Sequence, residues 1–384
     1  MEKLVNLGMK PKLLALFLLV GVVPLLVIGF LAERRAADFQ ARVVELTTQE
    51  LEEQAFKQLV ASRDVKKHTI EAHFAQERKQ ARTFAESHMA IEAARAFRDA
   101  FRVYPAQSGL TAETPRSHLL DELTGYYRNE FGSVYRQETG RDISLDADLS
   151  ELDDEALTLQ LSYIARNGHA IGSKHRLDRD PSDSDYARFH AHYHPVFRSY
   201  LETFGYYDIF LCDPDTGDIV YSVFKEIDFA TSLRDGPFAS TSFGHLYRQL
   251  STSAESGTVM LVDSEPYAPS YEAAASFLAA PVFDEDELLA LLVFQLPIDK
   301  ITSVMNERAG LGDTGETYLV GPDGGLRSES LRHRGASEIA TVSTQRGLEG
   351  LTGAVSIEDA AGRAGHSADT PLDLRDGLRG IQHA

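Results

Sequence analysis

The chain has 384 residues, of which 43% are hydrophobic and 25% charged, too many for one small domain and too apolar for wholesale disorder. With 58 acidic against 38 basic side chains its formal charge is −20, which excludes a nucleic-acid surface built on clustered Lys and Arg, so no nucleic-acid partner is expected. A single cysteine, Cys212, excludes an intramolecular disulfide and any multi-cysteine zinc or iron–sulfur site.

Residues 13–32, LLALFLLVGVVPLLVIGFLA, carry no charge. At 1.5 Å per residue such a run spans about 30 Å, the thickness of a bilayer's hydrocarbon core, and predicts a transmembrane helix. A cleaved signal peptide has a shorter apolar region ending in small residues, which FLAERRA does not supply. Lys3, Lys10 and Lys12 precede the run, so the N-terminus is expected in the cytoplasm and everything after Glu33 outside.

Residues 36–104 contain neither proline nor glycine and place Leu46, Leu51, Phe56, Leu59, Ile70, Phe74, Phe84, Ile91, Phe97 and Phe101 among Glu, Lys, Arg and Gln. This is the pattern of one or two long amphipathic helices, a stalk ended by Tyr104-Pro105 and Ser108-Gly109. Further helices are predicted near 116–136, 155–165 and 186–204, with Asp153-Asp154-Glu155 as an acidic N-terminal turn.

After Gly205 the period changes. Residues 206–212 and 218–224 flank DPDTG and predict a β-hairpin. A helix over 243–250, strands over 258–263, 274–283 and 288–297, and a short closing helix over 298–307 follow. The class is α+β: a transmembrane helix, a long helical stalk and PAS-like antiparallel-sheet modules, the second incomplete. DIFLCDPDTGDIVYS (208–222) is echoed by ETYLVGPDGGLRSES (316–330), with Leu211 and Leu319 at matching places, which suggests a duplicated module. Past Gly350 no strand is expected, and the tail is read as truncated or disordered. The boundaries are thus 1–12 cytoplasmic stub, 13–32 transmembrane helix, 33–150 extracytoplasmic stalk, 151–307 membrane-distal module and 308–384 the start of a second module.

This organisation resembles the double-Cache sensor regions of bacterial methyl-accepting chemotaxis proteins and related transmembrane kinases and cyclases. The resemblance is carried by AFKQLVASRDVKKHTIEAHFAQER (55–78), FGYYDIFLCDPDTGDIVYSVFKEIDFATSL (204–233), EPYAPSYEAAASFLAAPVF (265–283), VFQLPIDKI (293–301) and GLGDTGETYLVGPDG (310–324). It implies an inner-membrane sensor, a homodimer in the bilayer, whose distal module holds a small ligand between sheet and covering helices. The Arg–Trp–Tyr pattern of the amino-acid-binding branch is incomplete in a chain without Trp. Such receptors return through a second transmembrane helix to a signalling domain, which this chain does not contain. The alternative output is a histidine kinase or nucleotide cyclase.

Candidate ligand-binding residues are Asp228, placed to hold an amine, Lys225, placed to meet a carboxylate or to pair with Glu226 in solvent, and Tyr221, Tyr267 and Tyr271 as hydroxyl-bearing pocket walls. Asp228 reads equally as a turn or capping residue, and each tyrosine as core. His190, His192 and His194 bring two imidazoles one turn apart, near His169 and His175, but packing is the preferred reading over a metal site. Asp213, Asp215 and Asp218 lack the glutamate that would complete a calcium loop, Phe224 standing in its place. With no catalytic constellation, no enzyme activity, metal or cofactor is expected. The rival class is an anchored metal-dependent enzyme using the histidines.

Overall fold

A computed structural model describes residues 9–143, 149, 152–309, 311, 316–321, 327–328 and 354–358. The chain divides into two compact units, Met1–Ser62 and Arg63–Ala384.

In the first unit α1 (Met9–Phe17) passes through a π-helical turn, Leu18–Val22, into α2 (Val23–Ala85), whose residues from Arg63 onward belong to the second unit. Pro24 explains the widened turn. Its ring lacks an N–H and crowds the carbonyl four residues back, so the ladder opens and the Val23 N–H reaches the Leu18 carbonyl. The apolar side chains here are exposed, and by length and composition this helix suffices to cross a membrane.

The second unit is α+β. Ser87 ends the α2 run and caps α3 (His88–Ser108), its hydroxyl accepting from the Ala90 N–H at 3.2 Å. The helix runs through Pro105 and stops at the expected Ser108-Gly109 pair, Gly109 closing it at φ +75°. Next come α4 (Arg116–Tyr126), a π turn, α5 (Gly132–Thr139), α6 (Asp154–Gln160) with its own π turn Leu161–Ala165, and α7 (Asp185–Phe204). Asp153 caps α6 by accepting from Ala156 N–H at 2.7 Å, so the acidic cluster does begin a helix.

Five strands form one antiparallel sheet in the order β2-β1-β5-β4-β3: β1 (Asp208–Cys212), β2 (Ile219–Ser222), β3 (Met260–Tyr267), β4 (Ala273–Asp284) and β5 (Glu287–Leu296). The DPDTG turn joins β1 to β2. Gly217 sits there at φ +86°, where a Cβ would lie 2.8 Å from the Arg234 nitrogen. Asp213 in this turn accepts from Arg98 at 3.1 Å and Arg102 at 2.9 Å, which ties the turn to α3.

Register fixes what each face carries. Leu211 opposes Tyr221, and Ile209 opposes Phe294; these look toward the helices. Phe97 of α3 stacks on Tyr221 at 4.5 Å, and Phe84 stacks on Tyr200 at 4.2 Å beside Phe294. Alanines 90, 93, 94 and 100 let α3 approach closely. On the opposite face Phe210 and Phe277 meet Phe243 of α8 (Ser242–Ser253), at 5.0 and 4.5 Å. The chain from Ala81, near the end of α2, to Thr139, read from sequence as stalk, therefore shares one core with the sheet.

Beyond β5, α9 (Asp299–Asn306) leads to β6 (Glu316–Val320), which pairs with β7 (Ala354–Glu358). β6 lies 108 residues after β1 along its whole length, matching the echo between the two copies. β7 falls where no strand was expected: AVSIE is too short and mixed to be recognised without its partner. The rest of the predicted tail lies outside the described residues. Lys66 of α2 locks this corner, its Nζ donating to the Met305 and Glu307 carbonyls and the Thr317 hydroxyl at 2.7, 2.6 and 2.7 Å.

Candidate functional site

The sheet face opposite α3 and α7 holds an unusual set of polar groups. Asp208, at the start of β1, points to the same face as Phe210, two residues on. It is fully buried and saturated: Oδ2 accepts from the Ser222 hydroxyl at 2.7 Å, and Oδ1 from the N–H groups of Ile209, Val223 and Phe224 at 2.6, 3.0 and 2.9 Å. Burial raises its carboxyl to about 6 against these donors. The residue thereby fixes the chain where it leaves β2.

That exit loop folds back over the sheet edge through Lys225 at φ 62° and Ala230 at φ 67°, two left-handed positions without glycine. It delivers two more acids to the interior. Glu226 accepts from the Tyr207 hydroxyl at 2.7 Å and the Ser270 hydroxyl at 3.1 Å. Burial, then the neighbouring Asp228, push its carboxyl well above the usual range. Asp228 Oδ2 accepts from the Tyr267 hydroxyl at 2.7 Å, while Oδ1 is buried with no partner. Its carboxyl is pushed up to about 7, chiefly by burial. Gln295, opposite Asp208 in register, donates through Nε2 to Ser270 Oγ at 2.9 Å, and its Oε1 is likewise buried and unpartnered. From above, Gln160 donates to the Ile227 and Phe229 carbonyls and accepts from the Tyr127 hydroxyl at 3.0 Å, which holds the loop to α6.

The candidate residues divide. Asp228 and Tyr267 meet directly in the cluster. Tyr271, at φ 56°, is half-buried at its margin and stacks on Phe131 at 5.2 Å. Tyr221 faces the other way. It lies beneath Phe97, and its hydroxyl donates to His194 Nδ1 at 2.7 Å, a role set by His194 Nε2 donating to the His175 carbonyl. Lys225 also turns away: Nζ donates to the Ser222 and Val223 carbonyls and lies over the Tyr163 and Tyr221 rings at 5.8 and 5.6 Å. Burial lowers its ammonium to about 7. Lys225 and Glu226 are buried and separately bonded, so the expected solvated pair is not formed. Tight backbone turns at 225 and 230, invisible in residue type, send the two side chains to different sides.

The histidines sort by helix phase. His190 and His194 are buried and stacked at 4.2 Å, whereas His192 is exposed. Burial holds both interior imidazoles well below their ordinary value, so they are neutral. Among the described residues no group of three or more His, Cys, Asp or Glu side chains is arranged to hold a metal. Sequence reasoning missed Asp208, Glu226 as an interior group, Ser270 and Gln295. The available signal was strand alternation, which puts Asp208 and Gln295 on the face of Phe210 and Phe277. An open groove of about 580 Å³ beside His245, Arg248 and Gln249 lies on the exposed side of α8, away from these acids.

No family model matches the chain, and no curated protein matches it. Among solved structures it is similar to the extracellular domain of a putative histidine kinase, mmHK1S-Z2, at 15% identity and TM-score 0.26, covering 39% of this chain and 59% of that one. It is similar to the ligand-binding domain of the Pseudomonas fluorescens chemoreceptor CtaA in complex with L-valine, at 16% identity and TM-score 0.23, covering 36% and 54%. The V. cholerae histidine kinase DctB sensor domain matches at 12% identity and TM-score 0.26, covering 55% and 63%. The chain thus spans less than two thirds of each of these structures.

Proposed function

We propose that this chain is the extracytoplasmic ligand-sensing portion of a bacterial transmembrane signal transducer, in the first place a methyl-accepting chemotaxis receptor. The five-stranded sheet is the PAS-like core of its distal Cache module, β6 opens a second module, and the unit binds a small molecule without turning it over. The observation that carries this reading is the pair of buried acceptors, Asp228 Oδ1 and Gln295 Oε1, left without donors on one sheet face. Unmet buried acceptors each cost about 1–3 kcal/mol, and a bound molecule offering donors removes that cost. The apolar helix and the run of α2 beyond it support a membrane anchor with its N-terminus in the cytoplasm and the sensor outside. In this reading the receptor works as a homodimer in the inner membrane, and ligand binding biases a two-state arrangement of its helices.

The test uses the full chain in lipid nanodiscs. Thermal melts against a panel of amino acids, organic acids, amines and sugars are expected to show an upward shift with at least one class, since a ligand at a hundred times its Kd adds about 2.7 kcal/mol. A panel with no shift overturns the sensor reading. Protease added to spheroplasts should cleave the exposed helices of the second unit if that unit is outside, and spare them if it is not.

A further inference from the structure

Within the second unit α2 is held by two unlike polar contacts, one saturated and one loose. At the far end of α9 the Lys66 ammonium gives its three protons to three acceptors, the Met305 and Glu307 carbonyls and the Thr317 hydroxyl. About three turns further along α2 the Glu77 carboxylate is buried with no partner so close. Its Oε1 lies 3.5 Å from His73 Nδ1 and 3.6 Å from Lys300 Nζ, and its Oε2 has no hydrogen-bond partner. Lys300 in turn donates to the Phe204 carbonyl at 2.5 Å, at the end of α7. The trio therefore joins α2 to the start of α9 and to the chain between α7 and β1.

The apolar support of this stretch is a small cluster apart from the main core: Ile70 with Met305 and Leu319, beside Phe74, Ile301 and Val304. Arg78 ties α2 to the Val259 carbonyl at 3.0 Å, and from Ala81 the helix belongs to the main core.

Tyr200 and Tyr206, which also face Glu77, bring no charge. Burial first, and Glu77 second, raise both hydroxyls, and they donate to Gln80, at its carbonyl and at Oε1. With a neutral imidazole the trio is balanced, one carboxylate against one ammonium. Burial, opposed by Glu77 and aided by Lys300, lowers the His73 imidazole from its ordinary value. Its contribution to holding α2 is therefore full above about 6.5 and is lost as pH falls below that. A proton taken up there leaves one uncompensated positive charge in a mostly buried place.

We propose that His73, Glu77 and Lys300 form an acid-released joint. At neutral pH they hold α2 against the end of α7, and proton uptake lets the part of α2 before Arg78 swing, with α9 still pinned to it by Lys66. The joint needs no ligand, so it stands or falls separately from the sensor reading. α2 continues into the apolar run, which puts the joint on the chain's path between the two units.

The experiment reads spin-label distances in the full chain in nanodiscs. Val65→Cys on α2 and Gln249→Cys on α8 are exposed positions, while the native Cys212 is buried and takes no label. One narrow distance population is expected at pH 7.5, and a second, displaced one at pH 5.5. His73→Gln, which takes up no proton, should keep the narrow population at both. The buried His190 and His194 remain in that variant, so an effect of theirs would survive it. Lys300→Met should reverse the response. Its carboxylate lacks a cation at pH 7.5 and gains the imidazolium at pH 5.5, so the displaced population belongs to the higher pH. Thermal melts show whether each variant is folded, and His73→Gln, at a partly exposed position, decides alone if Lys300→Met is not. Distances in the unaltered protein that do not change with pH overturn the proposal. So does an undiminished response in His73→Gln, or the original direction retained in folded Lys300→Met.

Discussion

The two faces of the five-stranded sheet are buried by opposite means. Toward α3 and α7 the contact is aromatic: Phe97 on Tyr221, Phe84 on Tyr200, with the buried imidazoles neutral. Toward α8 and the loop after β2, Phe210 and Phe277 are joined by three buried carboxyl groups, two of which burial raises to about 6 and about 7. The first face explains how the unit holds together. The second holds groups that oppose folding in the absence of a partner, which is where function is to be sought.

The comparison can be broken most directly on the aromatic face. Phe97→Ala removes a fully buried ring from between helix and sheet and should cost about 3–5 kcal/mol, read by denaturant melts of the full chain. A loss below about 1 kcal/mol would mean that this face does not anchor the fold. On the acidic face the sign reverses. A carboxyl raised to about 7 holds its proton more tightly folded than unfolded, where it titrates near 3.9. Its contribution to stability is therefore present at low pH and lost as pH rises from about 4 to about 7. Asp228→Asn should accordingly stabilise the ligand-free protein at pH 8, by up to about 4 kcal/mol, and much less at pH 4. Destabilisation at pH 8 would contradict an unpaired buried carboxylate.

Tyr221→Phe keeps the stack under Phe97 but leaves His194 Nδ1 without its donor, at about 1–3 kcal/mol. The stacked pair His190 and His194 adds a pH effect. Burial depresses both, so their contribution is full above about 6.5 and falls away as pH drops below it. The pair thus adds a fall in melting temperature between pH 7 and 5, set against the opposite slope of the raised Asp208, Glu226 and Asp228 carboxyls. His194→Gln should flatten that fall, and a slope unchanged by it would assign the effect elsewhere. Smallest is Asp153→Ala, which removes the α6 cap and should cost about 1 kcal/mol without altering either face.

Much of this was legible in residue order. Four strands of the sheet and helix α7 fall within two residues of where alternation, turn chemistry and apolar spacing put them, because those signals are local, while β3 runs four residues past its expected end at 263. Asp228 and Tyr267 were singled out from sequence and do meet. Tyr221 was singled out with them and sits on the other face, because one residue along a strand reverses the side chain's direction. Lys225 and Glu226 looked like a solvated pair because adjacent opposite charges usually are. Their burial follows from a loop folding over a sheet edge through left-handed turns that ordinary residue types do not announce.

By itself, then, the sequence determined an uncharged helix of membrane-spanning length, an α+β order of elements and a second strand 108 residues after the first, since each depends on near neighbours along the chain. The tertiary structure alone decided that the helices between Ala81 and Thr139 pack on the sheet, that Lys225 and Glu226 part company, and that Asp228 Oδ1 and Gln295 Oε1 end up buried without donors. Those outcomes depend on which atoms are brought together from distant parts of the chain, and on how much water is left between them.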